Sequence, residues 1–366
     1  MPPSKRDSGS WGVIDNRLMP ESIGATLHPY SALTPERVLD ALDGLGLRGD
    51  GRLQALSSYE NRVYLAHLEE PQDGLDAVVL KFYRPGRWSE AQILEEHQFS
   101  AELGLAEIPV VGPLALDGRT LHHHAGFAFS VSPRRGGRPP ELDDPEVLEW
   151  IGRFLGRIHN VGAERPFESR GALDLSSFGK EPRDWLVGHD LIAPEVRSSW
   201  ITRCAEALSQ IERSFARAGT SERPIGTLRL HGDCHPGNIL WTPEGMPSAV
   251  QAAGPHFVDL DDARSGPAVQ DLWMLLSGNR AQRGLAMSTL IEGYEQLRPF
   301  DRRELSLIEP LRTLRLIHYS AWLARRWQDP IFPINFPWFG SSDYWQGQVH
   351  VLEEQIEAMQ EEPLVV

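Results

Sequence analysis

Arg229-Leu-His-Gly-Asp-Cys-His-Pro-Gly-Asn-Ile-Leu-Trp241 is the stretch of this chain that decides its fold. Asp233 and Asn238 lie five positions apart within it, and Phe257-Val-Asp259 supplies a second aspartate further along. Phosphoryl transfer depends mainly on positioning and charge neutralisation, so it needs one carboxylate to orient the attacking hydroxyl. It also needs a few oxygen ligands for Mg²⁺, which completes its shell with water and substrate oxygens. The stretch therefore predicts a phosphoryl-transfer site.

The residues around these side chains predict a local structure that suits the site. Apolar runs predict a strand on either side of a turn at Pro236-Gly237, which would aim Asn238 back towards Asp233. A third short strand at Phe257-Val258 would deliver Asp259. A polar surface turn is the alternative interpretation, but it accounts for neither the flanking strands nor the later aspartate.

A site of this kind predicts an upstream lysine on a strand, and the chain supplies one. The apolar run 77–83 has high strand propensity, and Lys81 lies near its end, as a phosphate-binding lysine should. Ser89 is a good N-cap for the helix that follows. Either Glu95 or Glu96 on that helix could pair with Lys81. We favour Glu96 and expect the other glutamate to lie on a solvated helix face.

Longer strings of residues resemble a known superfamily. They are Ser58–Tyr64, Lys81–Trp88, Ile93–Phe99, His231–His235, Phe257–Arg264, Gly266–Leu275, Asn335–Trp338 and Asp343–Trp345. In these strings the chain resembles the protein-kinase-like superfamily, in its aminoglycoside and choline kinase branch, where His-Gly-Asp replaces the His-Arg-Asp of eukaryotic kinases. Within that branch it is most similar to bacterial Ser/Thr protein kinases. The resemblance spans roughly residues 30 to 350.

The resemblance implies an α+β fold of the bilobal protein-kinase-like type. A small N-terminal α/β lobe would be followed by a larger, mainly helical C-terminal lobe. We expect a flexible extension at residues 1–28, a nucleotide-binding lobe at 29–132, and a catalytic and substrate lobe at 133–366. The strand and helix patterns along the chain fit this order.

The resemblance also implies roles for individual residues. Asp233 would accept the proton of the attacking hydroxyl, and Asp259 would be a second catalytic carboxylate. Asn238 and Asp259 would hold Mg²⁺. The residues implied on the nucleotide side are Ser58, Lys81 and Glu96, with Lys81 on the phosphates of ATP and Ser58 near them.

Three departures from the eukaryotic kinase pattern are visible. The segment 57–64 stands where a glycine-rich loop would be, but it contains no G-x-G-x-x-G. The usual Asp-Phe-Gly reads Asp259-Leu-Asp261, and no Ala-Pro-Glu follows. Because a helix is predicted to begin near Gly266-Pro267, there is no room for a phosphorylation-ordered activation segment. We therefore expect activity that does not depend on phosphorylation of such a segment.

Composition excludes several classes of protein. A net charge of −15 argues against nucleic acid or an anionic membrane as a partner, since both need a basic face. No apolar run approaches the length of a membrane span, and the N-terminus lacks the apolar core of a signal peptide. Two cysteines, Cys204 and Cys234, make no disulfide framework. We expect a cytoplasmic monomer in which Cys234 is a packing residue rather than a redox switch.

Several further histidines, aspartates and aromatic residues have other expected roles. His122-His123-His124 does not suit a metal, because neighbours on a strand point to opposite faces. We expect His231 to orient its loop through hydrogen bonds to backbone, and the resemblance implies that Asp271 holds the same loop. Asp261 and Asp262 are expected to support the site or lie on the surface. The aromatic cluster from Phe336 to Trp345 could line the substrate cleft or pack in the core, and the sequence leaves both open.

The predicted function is that of an ATP- and Mg²⁺-dependent kinase that phosphorylates Ser and Thr residues of proteins, in a bacterial stress response. The choice of a protein acceptor rests on the resemblance alone. A small-molecule kinase of the aminoglycoside, choline or homoserine type is the alternative, since the machinery is shared and an acidic cleft favours cationic acceptors. A pseudokinase is disfavoured, because Lys81, Asp233, Asn238 and Asp259 are all present.

Overall fold

Residues 28–243 and 253–366 are described by a computed structural model of this chain. The extension expected at residues 1–28 therefore lies, apart from His28, outside the described residues. The described residues form two lobes, of which the first contains the large sheet and the second most of the helices. This is the expected α+β bilobal arrangement.

The small lobe is built on an antiparallel sheet with the strand order β1-β2-β3-β5-β4. Its elements are α1 (Pro35–Asp43), β1 (Gly49–Ala55), β2 (Arg62–Gln72), β3 (Leu75–Phe82), α2 (Glu90–Leu105), β4 (His122–His124) and β5 (Phe127–Pro133). Asp73 and Gly74 join β2 to β3, and their φ angles of 51° and 79° are those of a two-residue hairpin turn. An apolar core that includes Val38, Leu42 and Phe82 joins α1 to the sheet.

The centre of this sheet holds the predicted lysine. Strand β3 lies between β2 and β5, with Lys81 opposite Val63 on one side and Ser130 on the other. The Ser89 side chain caps α2 by accepting a hydrogen bond from the backbone N–H of Gln92. The Gln92 side chain in turn accepts a hydrogen bond from the backbone N–H of Ser89. The sequence therefore placed both the strand and the start of the helix correctly.

The large lobe is mainly helical and carries two short two-stranded sheets, β6 with β9 and β7 with β8. Its helices are α3 (Pro145–Ala163), α4 (Glu181–Gly188), α5 (Arg197–Ala218), α6 (Val269–Trp273), α7 (Arg280–Glu295), α8 (Ile308–Arg325), α9 (Ile331–Asn335) and α10 (Ser342–Ala358). Its strands are β6 (Leu228–Leu230), β7 (Ile239–Thr242), β8 (Gly254–Phe257) and β9 (Arg264–Gly266).

The sequence patterns missed two short helices of this lobe, α4 and α9. Each contains a proline near its start, Pro182 in α4 and Pro333 in α9. A proline favours a loop when it is read from sequence, yet the first turn of a helix accepts it because the N–H groups there have no partner within the helix. The apolar pattern at 302–327 predicts one helix, but the structure divides this segment into a 3₁₀ turn at Arg302–Leu307 and α8.

Backbone hydrogen bonds tie the segments between the lobes to the strands beside the predicted site. The N–H of Val111 donates to the carbonyl of Phe257 at 2.9 Å, and the N–H of Phe257 donates to that of Pro109 at 2.8 Å. The N–H of Trp241 likewise donates to the carbonyl of Arg138 at 2.7 Å. Strand β7, which follows Asn238, and strand β8, which precedes Asp259, are thereby fixed to the segments between the lobes.

Candidate active site

The loop after β6 folds back on itself. Pro236–Asn238 form a single 3₁₀ turn, and the Nδ2 amide of Asn238 donates to the backbone carbonyl of Asp233 at 3.0 Å. The turn predicted at Pro236-Gly237 thus brings Asn238 back to Asp233, as expected. Because the amide nitrogen is used in this bond, the Oδ1 oxygen of Asn238 is left to accept or to bind a cation.

Asp271, at the start of α6, binds the backbone at the beginning of this loop. Its carboxylate accepts the backbone N–H groups of His231 at 2.8 Å and Gly232 at 2.9 Å, and it lies 3.1 Å from Nε2 of His159. Burial would raise the pKa of Asp271, but the hydrogen bonds from His159 and Gly232 outweigh it and keep the pKa below its usual value. A buried carboxylate thus fixes the backbone just before Asp233.

Only glycine fits at position 232, directly before Asp233. Its φ is +84°, and a Cβ at this position would lie 2.2 Å from the backbone oxygen of Asp262. The loop and the segment after Asp259 can therefore touch backbone to backbone. His231 adds a further link, since its Nε2 lies 2.9 Å from the carbonyl of Val258, in agreement with the role expected for this histidine.

Asp259 is presented by a strained turn. It follows β8, has left-handed backbone angles (φ 59°, ψ 60°), and precedes a 3₁₀ turn at Leu260–Asp262. A non-glycine residue rarely adopts these angles, and such residues cluster at functional sites. The Asp259 side chain is half exposed, at 51%, so its carboxylate is open to a ligand.

Lys81 and Asp259 meet across the cleft between the lobes. Lys81 Nζ lies 2.7 Å from Oδ1 of Asp259 and 3.4 Å from Oδ1 of Asp261. Burial would lower the pKa of Lys81, but the two carboxylates raise it well above its usual value. The lysine is therefore held as a cation beside the predicted metal ligand.

Glu96 lies close to this lysine without forming an ion pair with it. Within residues 28–243 and 253–366, the carboxylates within 4.0 Å of Lys81 are Asp259 and Asp261. Glu96 is buried, and burial raises its pKa to about 7 against the opposing charge of Lys81. The ion pair predicted between Lys81 and Glu96 is therefore not formed in this structure, where the two charges influence each other only at longer range.

Glu95 does not lie on a solvated face, so that expectation was wrong. Its carboxylate accepts the backbone N–H groups of Glu168, Ser169 at 3.0 Å and Arg170 at 2.8 Å. It therefore anchors a loop of the large lobe on α2. No sequence pattern indicates this contact, because a carboxylate that binds backbone N–H groups needs no particular residue type in its partner.

Ser58 lies in the loop between β1 and β2, where a glycine-rich loop would be. Its Oγ donates to the carbonyl of Asn61 at 3.2 Å. Asn61 was not singled out from the sequence, yet it is buried and its Nδ2 donates to Oδ2 of Asp261 at 3.1 Å. This bond joins the loop to the segment that carries Asp259.

Asp261 is buried, so of the two alternatives expected for it the structure agrees with support of the site and not with a surface position. Burial would raise its pKa, but Arg87 and Lys81 outweigh this and lower the pKa to about 2. It forms an ion pair with Arg87, which also contacts Asp262 at 2.7 Å. Asp261 therefore contacts both Lys81 and Asn61 and fixes their positions beside the site.

Asp233 has a partner that sequence reasoning missed. Oδ1 of Asp233 lies 2.7 Å from a guanidinium nitrogen of Arg315, which is on α8, and its Oδ2 lies 3.6 Å from Nε2 of His235. Arg315 is far from the loop in sequence, and its own neighbours form no recognisable pattern. Only the packing of α8 brings it to the site.

The aromatic residues from Phe336 to Trp345 divide into a buried group and a group near the contact with the small lobe. Trp345 and Phe339 are buried in the core of the large lobe. Phe336 instead contacts the ring of Tyr59 from the loop between β1 and β2, with ring centroids 5.0 Å apart. Trp338 is 45% exposed beside Phe336.

Two side chains offer ligands that suit a divalent metal ion. Oδ1 of Asn238 and the exposed carboxylate of Asp259 are oxygen donors of the kind that Mg²⁺ prefers. Among the described residues no group of three or more His, Cys, Asp or Glu side chains could hold a metal. That is compatible with an ion that takes its remaining ligands from water and phosphates.

Comparison with known proteins decides the family. Residues 52–308 match the model of the phosphotransferase enzyme family. This chain is a member of that family. The phosphotransferase is 44% identical over 335 residues to stress response kinase A of Escherichia coli (strain K12), covering 92% of this chain and 96% of the relative. It is 45% identical, with the same coverage, to the serine/threonine protein kinase RdoA of Salmonella typhimurium.

Solved structures show the same fold for the phosphotransferase. The amicoumacin kinase hAmiN, in complex with AMP-PNP, Ca²⁺ and Ami, superposes with a TM-score of 0.65 at 19% identity, over 91% of this chain and 96% of that one. A microcompartment-associated aminopropanol kinase gives a TM-score of 0.64 at 19% identity, over 88% and 98%. In the part of the phosphotransferase that the structure describes, no helix is both long and apolar enough to span a membrane.

Proposed function

We propose that this phosphotransferase is an ATP- and Mg²⁺-dependent protein kinase that phosphorylates Ser and Thr residues and acts in a stress response. The observation that carries the proposal is the meeting of Lys81 from the small lobe with Asp259 from the large lobe, at 2.7 Å. The protein acceptor and the stress role are supported by the names of relatives that are 44–45% identical to this chain.

Each polar group in the cleft has a task under this proposal. Asp233 accepts the proton of the attacking hydroxyl, because it is the carboxylate that the loop fixes in place. Asn238 and Asp259 hold Mg²⁺, which when bound neutralises charge on the phosphates of ATP. Lys81 is already held protonated by carboxylates, so it is ready to exchange one of them for a phosphate oxygen.

The route of the acceptor differs from that in eukaryotic protein kinases. Nine residues lie between Asp259 and the helix that begins at Val269, and they include a 3₁₀ turn and the three residues of β9. Strand β9 pairs with β6 and is therefore part of the folded lobe, not a loop that phosphorylation could order. We infer activity that is independent of phosphorylation there, with the acceptor reaching Asp233 over the large lobe.

The proposal also includes a monomer in the cytosol, in which Cys234 is a packing residue rather than a redox switch. Cys204 and Cys234 are both buried free thiols, and burial raises the pKa of each, which favours their unreactive form. Size-exclusion chromatography with light scattering tests the monomer, and a dimer mass would contradict it.

Incubation of the purified protein with Mg²⁺ and γ-labelled ATP tests the function. Myelin basic protein and a low-molecular-weight extract serve as alternative acceptors, and mass spectrometry locates the phosphate. We expect phosphoserine or phosphothreonine on the kinase or on the added protein, and about 100-fold less or lower still with the Asp233→Asn variant. Turnover on the extract together with unlabelled protein would instead show a small-molecule kinase.

A further inference from the structure

A fixed positive charge lies beside the carboxylate that would receive the acceptor hydroxyl. The Arg315 guanidinium is 2.7 Å from Oδ1 of Asp233, and the Arg315 side chain is 41% exposed while that of Asp233 is 20% exposed. A guanidinium has five N–H donors in a planar fork. The contact with Asp233 leaves part of this fork facing the solvent from which an acceptor arrives.

Arg315 places a permanent positive charge beside this carboxylate, with its guanidinium 2.7 Å from Oδ1 of Asp233. An arginine stays protonated at any physiological pH. The carboxylate of Asp233 is thus already compensated, so an ammonium group on an acceptor would find no free negative charge there.

The surface that continues from Arg315 is open and aromatic. Tyr319 and Trp322 follow on the same side of α8, at the spacing of helical neighbours, and their rings stack with centroids 5.5 Å apart. Trp322 contacts Phe336, and Phe336 contacts the exposed Trp338. The seven steps along the helix from Arg315 to Trp322 extend about 10 Å, which is about three residues of extended polypeptide.

We propose that Arg315 determines the acceptor class: it favours a Ser/Thr polypeptide with a carboxylate or phosphate group next to the acceptor residue, and it disfavours acceptors with a cation there. The inference rests on the proposed function, because it takes the acceptor to be a polypeptide. An amino alcohol carries its ammonium within a few bonds of the hydroxyl, so it would meet Arg315 at close range. The net charge of −15, which favours cations, is opposed locally by this one side chain.

Steady-state kinetics with three matched peptides test the inference. The peptides contain one Ser flanked by Glu, Gln or Lys and are otherwise identical. For the wild type we expect KM to rise from the Glu to the Lys peptide by roughly 10-fold, a usual size for a change of charge at a partly exposed contact. Arg315→Gln should remove the order of KM values, and Arg315→Lys should restore much of it.

A matched control is available on the same helix. Arg312 also lies on α8 but pairs with Glu309 at 3.1 Å, so Arg312→Gln should leave the order of the peptides unchanged. Thermal melting of each variant confirms that it is folded, and Arg315 is exposed enough for its replacement to be tolerated.

Two results would overturn the inference, and they differ from failure of the proposed function. If Arg315→Gln keeps the order Glu, Gln, Lys, another group selects the acceptor. If the variant lowers kcat equally for all three peptides without changing their KM values, Arg315 acts on the transferred phosphoryl group instead. A wild type that phosphorylates no peptide but consumes an amino alcohol would contradict both proposals, and the missing phosphopeptide would identify that case.

Discussion

Asp271 accepts a hydrogen bond at 2.8 Å from the backbone N–H of His231, a residue 40 positions earlier in the chain. The carboxylate belongs to the helix that follows the site, and the N–H belongs to the loop that contains Asp233. The two segments of the site are therefore fixed to each other through a group that touches no substrate.

Asp271→Asn should loosen this loop. The substitution exchanges one acceptor oxygen for an N–H₂ group that faces backbone donors, and a buried donor without a partner costs about 1–3 kcal/mol. We expect the free energy of unfolding to fall by about 2–4 kcal/mol, because the carboxylate serves three donors. Urea unfolding measures this, and a change under about 0.5 kcal/mol would contradict the anchoring role.

Asp233→Asn should fold normally and lose most of its turnover. A group that accepts a proton in the transition state contributes about 10²–10⁴-fold to the rate. We expect kcat to fall by that factor, while the affinity for Mg-ATP changes little. The exposed Asp343→Asn on α10 is the control and should keep its kcat. Near-normal turnover of Asp233→Asn would show that another group accepts the proton.

Asp259→Ala should weaken the binding of Mg-ATP more than the binding of ATP alone. The metal is the largest local charge on the phosphates, so removal of its carboxylate ligand leaves their repulsion uncompensated. We expect the Kd for Mg-ATP, measured by calorimetry, to rise by roughly 10-fold or more. Without Mg²⁺ the Kd should change little, since Lys81 keeps Asp261 as a partner at 3.4 Å. Equal losses in both titrations would argue against metal ligation.

Asp329 should be the most costly residue to remove from the contact between the lobes. This buried carboxylate accepts from Arg84 at 2.7 Å and from Arg62 at 2.8 Å, both in the small lobe. Asp329→Ala leaves two arginines without their counter-charge, and breaking a buried pair costs about 3–5 kcal/mol. Arg84→Ala in the Asp329→Ala background should then cost less than in the wild type. Additive losses in urea unfolding would show that Arg84 and Asp329 are not coupled.

Glu304 should make stability fall as the pH rises. Burial raises the pKa of this carboxyl from an ordinary value of 4.5 to about 7, while the N–H of Val269 donates to it at 2.8 Å. A raised pKa means that the folded state binds the proton more tightly, so this stability is complete below 4.5 and is lost as the pH passes about 7.

Glu304→Gln keeps an acceptor for Val269 and removes the titration. We expect the variant to gain about 1–3 kcal/mol relative to the wild type between pH 5 and pH 8. Because burial also raises the pKa of Glu96 to about 7, the difference between the two proteins is the quantity to measure. A difference in unfolding free energy that does not change with pH would contradict the raised pKa of Glu304.

Local patterns in the sequence determined much of the fold. The strand with Lys81, the cap at Ser89 and the turn before Asn238 all depend on neighbours within a few residues, which the sequence displays directly. The roles of Asp233, Asn238 and Asp259 were predicted from spacing and resemblance, and they remain predictions for the experiments above to test.

Tertiary structure alone decided which charges surround these residues. Arg315 reaches Asp233 from α8, Asn61 reaches Asp261 across 200 positions, and Glu95 binds the backbone of a distant loop. None of these pairings has a sequence signature, because an ion pair or a backbone hydrogen bond requires only complementary groups at the right distance. That distance is set by how helices and lobes pack, which local patterns do not encode.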